Sequence, residues 1–320
     1  MVQTSINNWL FSQDDKGNLS VTPPDELRRK KPDLLYKYYG LSENSLDVIE
    51  QLRIYASNPY VLNVPFDAHD SIIQFDNIDA IRQIFKGVEI DPFIKSILNT
   101  SPEELKELAS YLFRLVVYSR LGIYCLTESP DNLLMWSYYS NHKGFAIEFD
   151  YNAFPFKFHG PFQMNYRDTF TPISIAKGGW ICALYQSTLK AKDWTHENEW
   201  RILPEREGQF GMGIPQLNVL KNVENATERY FEITPQCIKK VILGNRFFNP
   251  DNEFLFKGDH VEIALQENVE LKNRLLNGID RNNLPVEIIY RNINGFGLKS
   301  TPILLKRIDD KRIKLTKNVA

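Results

Sequence analysis

Short runs rich in tyrosine, isoleucine and phenylalanine recur along this chain at irregular intervals, and amphipathic stretches interrupt them without a fixed alternation. Successive βαβ units would give a regular rhythm, so the pattern favours an α+β fold over a doubly wound parallel sheet. The expected core is a mixed, mainly antiparallel sheet with flanking helices. There is no internal repeat and no low-complexity tract, so a solenoid is not an alternative.

Strands are expected at Leu34–Tyr39, Ile54–Ser57, Ile123–Thr127, Phe145–Asp150, Gln163–Arg167, Trp200–Pro204, Arg229–Thr234, Lys240–Leu243, Pro285–Tyr290 and Thr301–Leu305, where β-branched and aromatic residues concentrate between turn formers. The clearest helix runs from Ser101 to Leu121. It has a serine cap, Pro102 at the first helical position, Glu103 and Glu104 in the first turn and Gly122 beyond its end. Leu105, Leu108, Leu112, Leu115 and Val116 form its apolar face, which predicts packing under a sheet. Shorter helices are expected at Leu46–Arg53 after Asn44 and Ser45, from Asp131 through Ser140, over Ile173–Lys190 and within Asp251–Glu267. Residues 1–33 are read as a flexible or loosely packed leader, because Asp14 to Lys31 mix glycine, prolines and charges. Residues 34–320 are read as one α+β domain.

Composition narrows the function classes. The 320 residues are 43 % hydrophobic and 24 % charged, ordinary usage for a globular chain. A net charge of −2 provides no global basic field for nucleic acid. Three distant cysteines, Cys125, Cys182 and Cys237, predict thiols in a reducing cytoplasm. The first fifteen residues do not read as a secretory signal. Arg114 and Arg120 interrupt the most apolar stretch, Tyr111–Leu126, which is shorter than the ~20 residues of a membrane span.

Three segments could carry chemistry. In Asn132–Asp150, Trp136 and Tyr139 share a helix face, with Tyr138 between them, and the turn Asn141-His142-Lys143-Gly144 could hold an anion through backbone amides and Lys143. On residue types alone the favoured reading is a helix-to-strand corner with the aromatics in the core. In Trp194–Ile202, Glu199 at the lip of a strand could polarise a sugar hydroxyl or act as a base, or it could simply pair with Arg201 on the same strand face. In Leu35–Tyr39, Tyr36 or Tyr38 could stack on a ring while Lys37 reaches phosphate, or Lys37 could guard an edge strand. The loop Asn58–Asp67 carries polar groups that need partners. Asp67, His69 and Asp70, or His142, His196 and Glu197, lack the spacing of recognised metal sites, so no metal is expected. Phosphate-loop, dinucleotide and nucleophile-elbow motifs are missing.

In order and spacing, Tyr36-Lys37-Tyr38, Asn58–Asp67, Leu134–Asp150, Glu197–Arg201 and Ile238–Gly244 resemble the pattern of an uncharacterised bacterial and phage-borne family, domain-of-unknown-function family 2971. Val64 departs from that pattern, standing where the family usually has Asp. A weaker similarity is to the ADP-ribosyltransferase superfamily. It implies that Tyr36, Lys37 and Tyr38 flank the nicotinamide or diphosphate, that Tyr138 or Tyr139 stacks, and that Glu199 holds the ribose hydroxyl.

Taken with the residues, these resemblances imply an intracellular NAD-using transferase or glycohydrolase, a defence or toxin-type effector with no tightly bound cofactor and NAD as substrate. Glu199 and Lys37 are the expected catalytic groups. Tyr36, Tyr38, Trp136, Tyr138, Tyr139, His142, Lys143, Gly144 and Arg201 are the expected binding groups. The alternatives are a non-enzymatic module that binds a nucleotide or a protein, and a metal-dependent nuclease using Asp67, His69, Asp150 and Glu199. A protein or nucleic-acid acceptor is left open, and no membrane partner is expected.

Overall fold

Alternating apolar residues pair into strands wherever a buried face repays ordering the backbone, and in this protein ten such strands join edge to edge. The structure, a computed structural model, describes residues 1–62, 67–85, 101–205, 229–249, 258–292 and 294–318. Its strands are β1 (Val2–Ile6), β2 (Trp9–Gln13), β3 (Leu19–Thr22), β4 (Leu35–Tyr39), β5 (Arg53–Tyr55), β6 (Ile73–Gln74), β7 (Tyr124–Thr127), β8 (Phe145–Phe149), β9 (Phe158–Gln163) and β10 (Asn165–Arg167). They continue as β11 (Ile173–Ser174), β12 (Leu189–Ala191), β13 (Glu199–Pro204), β14 (Tyr230–Glu232), β15 (Ile238–Leu243), β16 (His260–Ala264), β17 (Val286–Arg291), β18 (Leu298–Arg307) and β19 (Arg312–Lys317). The helices are α1 (Glu43–Glu50), α2 (Ile78–Phe85), α3 (Pro102–Arg120), α4 (Leu133–Ser140), α5 (Gly179–Thr188) and α6 (Val269–Arg281).

The main sheet has the order β16-β19-β18-β17-β15-β8-β4-β7-β13-β9. Only β15 and β17 run parallel within it, so the α+β expectation of a mainly antiparallel sheet holds. Leu46 and Ile49 of α1 and Leu275 and Ile279 of α6 join a core with Ile147, Phe149 and Val241. A second core gathers Leu105 and Val117 of α3, Ile181 and Tyr185 of α5, Leu203 of β13, and Trp9 and Phe11 of β2. Helix α3 begins at the expected place, with Ser101 and Glu104 closing a reciprocal capping box. No helix among the described residues is long and apolar enough to cross a membrane.

The expectation of a loose leader is corrected. Residues 2–22 form an antiparallel three-stranded sheet. Asn7 and Asn8 both take positive φ, 51° and 66°, at the two-residue turn between β1 and β2, the conformation a tight hairpin needs. Trp9 and Phe11 are buried, and Phe11 meets Tyr185 edge-on at 5.3 Å. Beyond its first two residues, α5 is buried on every side from Ile181 to Thr188, and the N-terminal sheet is its roof.

Smaller differences follow from local chemistry. Gly178 at φ +105° holds α5 to a later start than Ile173. Ser42 caps α1 and Asn132 caps α4, each a little off the expected residue. The helix expected within Asp251–Glu267 is instead strand β16 over His260–Ala264, paired with β19. Residues 251–257 of that expectation lie outside the described residues, as do residues 63–66 of the Asn58–Asp67 loop, Val64 among them. Strand β19 and helix α6 were not anticipated.

Candidate functional site

Side chains two apart on a strand share a face, so β13 projects Glu199 and Arg201 together, beside Thr127 and Cys125 of β7. Just before β13, Asn198 sits at φ +46°, a left-handed conformation that asparagine tolerates better than most side chains. The bend lets Glu197 and Glu199 converge on one ammonium. Lys190 Nζ donates to Glu199 Oε2 at 2.7 Å and to Glu197 Oε2. Thr127 Oγ1 holds the Glu197 carbonyl at 2.5 Å.

Arg201 locks this arrangement from behind. Its Nε donates to Glu199 Oε1 at 2.7 Å, its Nη2 to Asp67 Oδ2 at 2.6 Å, and its Nη1 to the Ser187 carbonyl at 2.9 Å. All five charged side chains, Asp67, Lys190, Glu197, Glu199 and Arg201, are buried, which is tolerable only because each is paired. Lys190 and Ser187 come from β12 and the end of α5. The buried helix, roofed by the N-terminal sheet, therefore delivers two of the partners.

The two glutamates are pushed in opposite directions. Burial opposes ionisation of Glu199, but Arg201 and Lys190 outweigh it and hold its carboxyl well below the usual carboxylate range. Burial is also the largest influence on Glu197, and there it prevails over Lys190 and raises the pKa. Tyr139 Oη donates to Glu197 Oε1 at 2.6 Å. Opposed shifts in neighbouring carboxyl groups are how a site separates a proton carrier from a fixed charge.

These groups floor a cavity of about 130 Å³ walled by Tyr36, Lys37, Tyr38, Cys125, Met135 and Tyr139. Lys37 Nζ donates to the Cys125 carbonyl at 3.0 Å and lies 4.7 Å from the Tyr124 ring centre. Burial lowers its pKa. Burial, helped by Glu199, pushes the Cys125 thiol up to about 12, which keeps it protonated and a poor nucleophile. Asp67 keeps its second oxygen, Oδ1, buried and without a hydrogen-bond partner among the described residues.

Of the residues expected from sequence, Glu199, Lys37, Tyr36, Tyr38 and Tyr139 line this cavity. Glu199 is buried rather than at a lip, and its pairing with Arg201 is the structural alternative already named for it. Arg201 itself is fully buried behind the carboxylates. Trp136 belongs to the core, meeting Tyr38 edge-on at 5.0 Å and donating Nε1 to the Pro130 carbonyl at 2.8 Å. Tyr138 is exposed against Trp194 at 6.2 Å. Lys143 pairs with Glu267 at 3.3 Å. Gly144 is a packing glycine, since a Cβ there would come within 2.0 Å of the Tyr39 carbonyl. His142 lines a different cavity.

The segments around Lys37 and Glu199 thus converge, and the one between them in the chain contributes Met135 and Tyr139. Lys190, the hub of the site, carried no signal in the sequence. Of the nuclease set, Asp150 caps the turn Tyr151–Ala153 and pairs with Lys239 at 3.1 Å. No three His, Cys, Asp or Glu side chains among the described residues gather in metal-holding geometry. Compared with known proteins, the chain matches no family model, no curated protein and no solved structure.

Proposed function

We propose that the cavity above Glu197 and Glu199 takes the ribosyl part of an NAD-class nucleotide and loosens its glycosidic bond, as an intracellular transferase or glycohydrolase. The observation that carries this reading is the pair of glutamates, bridged by Lys190 and shifted in opposite directions, at the floor of a phenol-walled cavity. Permanently ionised Glu199 supplies the field that favours positive charge developing at the anomeric carbon. The carbon–nitrogen bond breaks and its electron pair leaves with the nicotinamide ring. The incoming water or acceptor hydroxyl then bonds to that carbon and passes its proton to Glu197, whose raised pKa suits it to accept one. Tyr36 and Tyr38 offer apolar ring faces beside the reacting sugar. The mainly antiparallel sheet and the order of early Lys37 strand, tyrosine segment and late glutamate support an ADP-ribosyltransferase-like assignment. The same order of segments motivates a defence or toxin-type role.

A second reading has its own observation. Both Glu199 oxygens already accept from Arg201 or Lys190, which suits a module that binds a nucleotide and performs no reaction. Calorimetric titration with NAD, paired with a readout of released nicotinamide, separates the two for the wild type, Glu197→Gln and Glu199→Gln. Release that collapses in both variants is the expected result. Binding without release moves the assignment to the binding module, and absence of both removes NAD as the ligand.

A further inference from the structure

Two lysines line the cavity above the glutamates, and their surroundings differ. Lys190 lies within ion-pair distance of Asp67, Glu197 and Glu199, which holds it charged. Lys37, on β4, also lines the cavity, but no carboxylate among the described residues stands within ion-pair distance of it. Strands β4 and β7 share a single register pair, Tyr36 with Thr127. Two residues away on β7, the Cys125 carbonyl accepts from a side chain, Lys37 Nζ, at 3.0 Å. The other neighbours of that nitrogen are phenol rings, with centres at 4.7 Å for Tyr124 and 5.9 Å for Tyr39. The hydroxyls of those two rings bond each other at 2.7 Å.

An ammonium brings three donors, and this setting meets one of them. The ring faces attract a cation without carrying the full charge that a buried ammonium needs. Burial lowers the Lys37 pKa, outweighing the pull of Cys125, Glu199 and Glu197. A desolvated lysine that loses its proton is a nitrogen nucleophile, and carbonyl carbons are what it attacks. The same cavity holds the proton carrier such a condensation needs, Glu197, whose carboxyl burial raises. Carboxylates and phenols around it suit a hydroxylated molecule. At about 130 Å³ the cavity is below the ~300–1,000 Å³ of drug-sized sites, so the occupant has few carbons.

We propose that Lys37 is a carbonyl-condensing amine and that this cavity takes a short sugar aldehyde, held as an imine on Lys37 Nζ. The Nζ lone pair bonds to the carbonyl carbon while the carbonyl oxygen takes a proton from Glu197. One Nζ proton returns to Glu197, which passes it to the departing hydroxyl. Water leaves, and a protonated imine faces an ionised Glu197. This chemistry needs no NAD and gives Lys37 a role that the glycosidic step leaves unfilled.

Glyceraldehyde with cyanoborohydride, which reduces an imine to a stable secondary amine, tests this on the full chain near neutral pH, with the labelled lysines located by peptide mass spectrometry. Lys37 is expected to label roughly 10-fold or more ahead of exposed Lys306, since each unit of lowered pKa raises the neutral fraction about tenfold. Its labelling rate should also level off at a lower pH than that of Lys306, a comparison within the wild type that no misfolded variant can spoil. Lys37→Met should remove the fast label. Glu197→Gln should slow labelling of Lys37 by about 100-fold and leave Lys306 unchanged. Lys37 labelling no faster than Lys306, or following the same pH profile, would overturn the assignment. No NAD enters the assay, so its outcome stands apart from nicotinamide release.

Discussion

The Glu197 cavity and a second cavity, walled by His142 and Arg246, open on strands of the same sheet, yet they treat charge in opposite ways. In the first, Arg201 and Lys190 are consumed by Asp67, Glu197 and Glu199, all withdrawn from water. In the second, Arg246 and Arg291 line the wall with no acid among the described lining residues. A buried cation that is fully paired holds up the fold and shapes its neighbours' pKa values, while an arginine at a cavity wall contributes less to holding the fold together. The same residue type therefore predicts instability when removed from one place and little change when removed from the other.

Arg201→Met is the harshest way to break this contrast. It leaves Asp67 and Glu199 charged, buried and short of partners, and is expected to cost about 3–5 kcal/mol in urea denaturation. Arg246→Gln should stay within about 0.5 kcal/mol of the wild type, and equal losses would erase the distinction. The next effect is in pH. Glu199 has a folded pKa depressed below its unfolded value of 4.5, so its contribution to stability is present above that pH and is lost as pH falls through 4.5 and below. Glu197, raised, works in the opposite sense, its contribution fading as pH rises above its unfolded value. Denaturation midpoints measured from neutral to acid pH should fall steeply for the wild type and more gently for Glu199→Gln. The mildest test is Tyr139→Phe, which removes one donor to Glu197. It should cost about 1 kcal/mol and move the pH profile of nicotinamide release upward, because the ionised carboxylate loses a hydrogen bond.

Local chemistry made much of the sheet readable in advance. The capping box at Ser101 and Glu104, the tyrosine strand β4 and the buried run Phe145–Phe149 each announce themselves over a few residues. Glu199 and Arg201 could be placed on one strand face because their spacing is two. What stayed hidden was long-range. Lys190 meets the glutamates only through the turn at Asn198 and the register of β13, neither of which its own neighbours reveal. Trp136 and Tyr139, three residues apart on one helix, take different places, Trp136 packed edge-on against Tyr38 and Tyr139 bonded to Glu197. The N-terminal sheet was legible after all: Trp9 and Phe11 alternate after an Asn7-Asn8 turn, but the glycine and prolines that follow masked the signal.

That roof over α5 bears on how the protein is made. Residues 2–22 leave the ribosome well before their partners, with Asn7 and the Thr171 hydroxyl it donates to standing 164 residues apart. At ~5–20 residues per second, the early hairpin waits for something like 10–30 s with Trp9 and Phe11 uncovered before α5 exists to receive them. The glutamate pocket, whose Ser187 lies in that helix and whose Lys190 follows it, is consequently among the later features to take shape during synthesis, and any reaction it performs is withheld from the unfinished chain.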